Sequence, residues 1–170
     1  MGRTDPDRVD DLEKKLKGFD GKKLVIIEGV YSMDGDVPPL AEIVEVQRER
    51  ASTLEEMAEK SAFIFTAPER YAAKAAKQHF KPGVSTVLET LDRDLSSLDE
   101  WSMDATQAAV EATAERLKLK LGKVAQPLRV AVTGDSASPG IGQTLYLLGR
   151  EETLQRVQRA LDYVNKQATP

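Results

Sequence analysis

The chain contains no cysteine, which excludes disulfide staples and thiolate metal centres. It has a single histidine, His79, so a multi-histidine zinc site is excluded and a histidine-based triad is not expected. Aromatic residues make up only 5% of the 170, whereas Ala, Leu, Glu and Lys are plentiful, a balance that favours helices over a β-sandwich. No apolar run approaches the roughly 18 residues needed to span a bilayer. The opening "MGRTDPDRVDDLEKK" is acidic and polar, unlike a secretory signal. These absences predict a soluble cytoplasmic protein with no membrane partner, built as one domain or two small ones.

What is present is charge, and it is unevenly spread. Met1 to Ile43 carries 7 basic and 10 acidic residues, Val44 to Glu115 carries 8 and 14, and Arg116 to Pro170 carries 9 and 4. The net charge of -4 therefore conceals a last third at +5, compatible either with phosphate contact or with a solvated helical face.

Residues Asp7 to Phe19 place Val9, Leu12, Leu16 and Phe19 at helical spacing behind Asp5-Pro6. "KKLVIIEGV" (Lys22 to Val30) is a short β-branched run that predicts a strand. A lone strand leaves both edges unpaired, which predicts a homodimer through residues 23–28. From Pro39 the period turns helical, and a face from Leu40 to Ile64 predicts one long helix ending before Pro68. Further helices are expected over Tyr71 to His79, Pro82 to Leu98, and Ser102 to Leu119 with Ser102 as N-cap. Three more follow: Lys123 to Val132 with Pro127 near its first turn, Pro139 to Leu148, and Glu151 to Asn165.

Smaller constellations carry little chemistry. Glu55-Glu56 and Glu151-Glu152 are sequence neighbours on different helix faces and read as solvated surface. "MDGD" (Met33 to Asp36) lacks the spaced ligands of a calcium loop. Trp101 is expected to anchor helix packing with its N–H bonded locally, and His79 to end a helix.

The runs "QRERASTLEEMAEKS", "LGKVAQPLRVAVTG", "SPGI" and "LLGRE" together resemble the C-terminal anticodon-binding region of bacterial glutamyl-tRNA synthetases, over about 46–166. The resemblance implies a mainly α fold, a helical bundle of two subdomains that docks on a tRNA anticodon. It places anticodon-reading roles on Arg50, Gln126, Arg129, Ser138, Pro139 and Ile141. Unstacked bases are read by hydrogen bonds, stacking and guanidinium groups. Arg50 offers a planar fork of donors, "SPGI" a helix start with free N–H groups, and Ile141 an apolar surface for a base. A purely structural alternative makes Arg50 a snorkelling side chain and "SPGI" a capped helix start. Asp135 departs from the family by putting an acid near the RNA face. No ATP-site or HIGH-like signature occurs, so the resemblance implies a binding module with weak affinity for tRNA bearing a glutamate anticodon, and no enzyme.

The segment "RTDPDRVDDLEKKLKGFDGKKLVIIEGVYSMDGDVPPLAEIVEV", most specifically "EGVYSMDGD", resembles an α-oxoamine synthase, a pyridoxal-phosphate family. That implies a helix–strand–helix unit over 1–45, with Glu28 and Ser32 near a cofactor pocket. The Asp, His and Schiff-base Lys blocks of the family are missing, so no cofactor is expected. The expected organisation is a fragment over 1–45 joined in mid-helix, around "LAEIVEVQRER", to a helical domain over 46–170, with subdomains about 46–99 and 100–170. Its order suggests an engineered chimera, with a designed scaffold lacking biochemical activity as the alternative.

Overall fold

A computed structural model of the chain describes residues 40–48 and 50–168. The expected helix from Asp7, the strand over Lys22 to Val30, its pairing through 23–28, and Glu28 and Ser32 all lie outside the described residues. Among the described residues there are helices and no strand. They are α1 Leu40–Gln47, α2 Leu54–Phe65, α3 Ala73–His79, α4 Val84–Ser96, α5 Met103–Arg116, α6 Leu121–Thr133, α7 Ile141–Leu148 and α8 Arg150–Ala168. No described helix is long and apolar enough to cross a membrane.

The long helix expected from Leu40 to before Pro68 is instead two. α1 stops at Gln47, and Thr53 starts α2 as its N-cap, its hydroxyl accepting from the Glu56 N–H at 3.1 Å. The Glu56 carboxylate reaches back to the Ser52 N–H at 2.7 Å. A capping pair of this kind satisfies orphan donors that an unbroken helix would not expose. The expected single helical face is therefore split between α1 and α2, while the junction expected near 45–46 lies within α1. The remaining helices fall within a few residues of their expected spans, and Ser102 does cap α5, accepting from the Ala105 N–H at 3.2 Å.

α6 is the hub, packing on α3, α4, α5, α7 and α8. It buries Val124, Ala125, Pro127, Leu128, Val130, Ala131 and Val132. Pro127 is the seventh residue of α6, well past the first turn, where its missing N–H and ring cost about 3 kcal/mol in an isolated helix. Burial on several sides of α6 outweighs that local preference. The core is continuous across the expected division near residue 99: Leu88, Leu91 and Leu95 of α4 share one cluster with Val110, Leu128, Leu145 and Val157. α1 joins through Ile43 and Gln47, both buried, by packing on α2 and α7.

One buried cation ties this arrangement together. Arg156 of α8 has only 2% of its surface exposed, yet it sits on the face formed by Thr153, Val157, Ala160 and Leu161. Its Nη1 donates to the Phe63 carbonyl at 2.7 Å and the Val132 carbonyl at 2.6 Å, closing the ends of α2 and α6. Its Nε pairs with Glu152 at 2.6 Å. Burial lowers the Arg156 pKa, and the hydrogen bond and charge of Glu152 oppose that. Glu152, expected as solvated surface, is thus the counter-ion of a core guanidinium.

Gly134 closes α6 with φ +82, the left-handed region, and its carbonyl accepts from the Ala72 N–H at 2.8 Å. A Cβ there would lie 2.7 Å from Pro68 Cβ. Gly83, which starts α4 at φ +86, has open space around it. Both glycines hold the left-handed conformation, so Gly134→Ala should lose about 1–2 kcal/mol to backbone strain plus the cost of displacing Pro68, and Gly83→Ala only the former. Equal losses in urea unfolding would show that the Pro68 contact does not matter. Arg156→Met leaves two helix-end carbonyls without their donor and should cost about 2–4 kcal/mol, with amide exchange in α2 accelerating first. An unchanged unfolding midpoint would contradict this.

Candidate functional site

Arg50 stands in the turn after α1, held by its N–H to the Gln47 carbonyl at 2.9 Å. Its own carbonyl accepts from Lys60 Nζ, and Lys60 in turn pairs with Glu56 at 2.6 Å. The exposed guanidinium donates through Nη2 to the Ser138 carbonyl at 3.0 Å, spanning 88 residues of sequence.

Arg129 approaches the same segment from α6. Its Nε donates to Ser138 Oγ at 2.8 Å and its Nη2 to the Pro139 carbonyl at 3.2 Å. Ser138 Oγ is also 3.0 Å from Thr144 Oγ1 and 3.0 Å from the Pro139 carbonyl, so its single proton serves one of the two. Burial lowers the Arg129 pKa, and the nearby charge of Arg50 lowers it further. Two guanidiniums thus converge on neutral carbonyls and a hydroxyl, and neither is ion-paired among the described residues.

The site opens into a cleft of about 520 Å³ between α2 and the loop after α6. Phe63 and Pro68 give it apolar surface; Gln47, Arg50, Asp135 and Ser138 give it donors and acceptors. Among the described residues no group of His, Cys, Asp and Glu side chains could hold a metal ion.

The structure brings Arg50, Arg129, Ser138 and Pro139 together, but two expectations at "SPGI" need correction. Ile141 is only 5% exposed, because α7 turns it inward with Leu145 and Leu148 at helical spacing; it offers no face to a base. The helix start is also less free than expected. Gly140 and not Ser138 is the N-cap, its N–H donates to Gln143 Oε1 at 3.1 Å, and the Gly142 N–H donates to Gln107 Oε1 at 3.2 Å. Pro139 is buried and presents its carbonyl to Arg129 and Ser138. Gln126 is half-buried on α6 three residues before Arg129, and its Oε1 is buried without a partner.

Lys60 and Thr144 were not anticipated. Lys60 was legible as an i+4 partner of Glu56, but its bond to Arg50 crosses the α1–α2 break. Thr144 carries no local sequence signal, since its partner Ser138 is set by the loop. Trp101 donates to the Leu145 carbonyl at 3.1 Å, across helices and not locally.

A family model described as an anticodon binding domain matches residues 13–161. Glutamate–tRNA ligase 1 of Alkalilimnicola ehrlichii is 50% identical over 133 residues, 78% of this chain and 28% of that protein. Glutamate–tRNA ligase 2 of Halorhodospira halophila is 46% identical over 138 residues, 81% of this chain and 29% of the relative. Among solved structures, a glutamate tRNA ligase from Elizabethkingia meningosepticum in complex with its amino acid superposes with a TM-score of 0.69 at 28% identity, over 72% of this chain and 24% of that one. The chain spans less than a third of the length of these relatives.

Ser138→Ala removes the oxygen that Arg129 Nε bonds and strands a half-buried donor. It should destabilise the fold by about 1–2 kcal/mol. In a double-mutant cycle with Arg129→Met most of that loss should disappear; strict additivity would mean the two side chains do not interact.

Proposed function

The chain belongs to the anticodon-binding domain family, and from that membership we propose that it is a non-catalytic tRNA-binding module that reads a glutamate anticodon. The observation that carries the reading is the convergence of Arg50 and Arg129 on Ser138 and Pro139 at the lip of an open cleft, with no carboxylate among the described residues paired to either. Guanidinium groups already oriented by backbone carbonyls keep further N–H donors for base edges or phosphate. Gln126 joins the proposed site through its unpartnered Oε1, an acceptor suited to a base amino group after a small side-chain shift. Ile141 acts only by packing beneath the loop. Affinity is expected to be weak, because Asp135 places an acid on the cleft wall with Arg50, where it repels phosphate. A cytoplasmic setting follows from the same reading.

The division near 45–46 and a composite origin are supported by the "EGVYSMDGD" resemblance and by the order of the two signatures. The family match from residue 13 runs across that division and favours a continuous domain. A natural gene encoding the whole chain would overturn the composite origin. The homodimer through 23–28 is supported by the Leu24–Ile27 run, and a monomer by light scattering would overturn it.

Filter binding tests the main reading. Transcribed tRNA-Glu should bind more tightly than a tRNA with another anticodon, and Arg50→Ala or Arg129→Ala should erase a preference on the order of tenfold or more. Equal binding of both RNAs by the unaltered chain would refute it.

A further inference from the structure

We infer that the solvent face of α6 and the end of α3 form a strip for the phosphate backbone, running from Arg129 through Lys123 to His79 and Lys81, along which an RNA strand lies as its bases enter the Arg50 cleft. This rests on the tRNA-binding reading and extends it to surface that the anticodon residues do not include.

α6 is buried on most sides. The residues it leaves partly or fully open are Leu121, Gly122, Lys123, Gln126, Arg129 and Thr133. Lys123, Gln126 and Arg129 follow one another at i+3 steps, so their side chains form a narrow winding row ending at Ser138. α3 packs against α6, its start meeting the end of α6 through the Ala72 N–H and the Gly134 carbonyl at 2.8 Å, and His79 is the last residue of α3. The charges of Lys81, Lys123 and Arg129 all reach His79, and that of Arg50 reaches Arg129. The cations are therefore neighbours although they come from three parts of the sequence: the turn after α1, the segment after α3, and α6.

None of Arg50, Lys81, Lys123 and Arg129 is ion-paired among the described residues, a state they share with Arg70, Lys74, Lys77, Lys118, Lys120, Arg150 and Lys166; what distinguishes the four is their proximity to one another. In a chain of net charge -4, a row of cations left without carboxylates repels itself until an anion arrives. The cleft beside it has the opposite character. Glu59, Glu69 and Asp135 line it together with Arg50 and Lys60. Carboxylates repel phosphate but accept hydrogen bonds from base amino groups. The division of charge thus assigns bases to the cleft and phosphates to the strip, as phosphate contacts orient a strand that other contacts read.

Salt dependence is the test. Lys81→Ala with Lys123→Ala, both at exposed positions, should lower the slope of log affinity against log salt by about 1.4, from roughly 0.7 per single-strand phosphate contact. The loss should be equal for tRNA-Glu and a non-cognate tRNA, leaving their ratio unchanged, while circular dichroism stays the same. The single histidine supplies a second readout. Burial, Lys81, Lys123 and Arg129 hold its pKa below the usual value, and phosphates on those cations should raise it in an NMR titration with saturating tRNA. An unchanged slope in the double variant, or an unmoved His79 pKa, would overturn the strip even where the unaltered chain discriminates tRNA-Glu. Absence of any RNA binding by the unaltered chain would instead overturn the tRNA reading, and the strip with it.

Discussion

The whole arrangement depends on a guanidinium placed where a leucine would be expected. Arg156 faces inward from α8 and closes the carbonyl ends of α2 and α6 at once. Both helices supply the site: α2 carries Lys60, which holds the Arg50 backbone, and α6 carries Arg129. A hydrophobic residue could fill the same volume, but it would leave the Phe63 and Val132 carbonyls without their donor. Burying a charge is costly, and here the cost is met by three hydrogen bonds, one of them to Glu152. What it secures is a fixed relation of α2 and α6 to α8, with Arg156 reaching across 93 residues of sequence to Phe63 and 24 to Val132.

The candidate site follows from that relation. Among the described residues Arg50 and Arg129 touch no common acid; they meet through the backbone and hydroxyl of a loop residue, Ser138. A carboxylate between them would have neutralised the pair and ended its usefulness toward an anion or a base. Neutral acceptors orient the two forks and leave their charge intact. Placing Asp135 exposed on the cleft wall, with one carboxylate oxygen taken by the Ser136 N–H, keeps the acid beside the pair but not in it.

Helices were legible where local chemistry and apolar spacing agreed. Ser102 announced α5, and the rows of α4, α7 and α8 followed period 3.6. The break between α1 and α2 was hidden because the apolar face continues through it, while Thr53 and Glu56 encode the stop in a capping pattern that was overlooked. Ile141 was misassigned because a motif supplies residue positions and not the direction in which a helix faces. Arg156 was detectable in principle, since it falls on the buried row of α8, but its partners were not. The convergence of Arg50 with Ser138, like the Trp101 bond to Leu145, is a tertiary fact with no trace at short range.

Gly142 bears on how this loop behaves when it meets a ligand. Any Cβ on it would fall 2.7 Å from the Met103 carbonyl and 2.8 Å from Gln107 Cβ, so α5 and α7 touch backbone to side chain with no spare layer. Thr106 adds a hydroxyl bond to the Gly142 carbonyl at 3.1 Å. Two helices seated this closely have no room to slide past one another. The loop that begins α7 is accordingly moored a few residues downstream of Ser138, so any ligand that meets it there meets a stationary anvil and must do the bending itself.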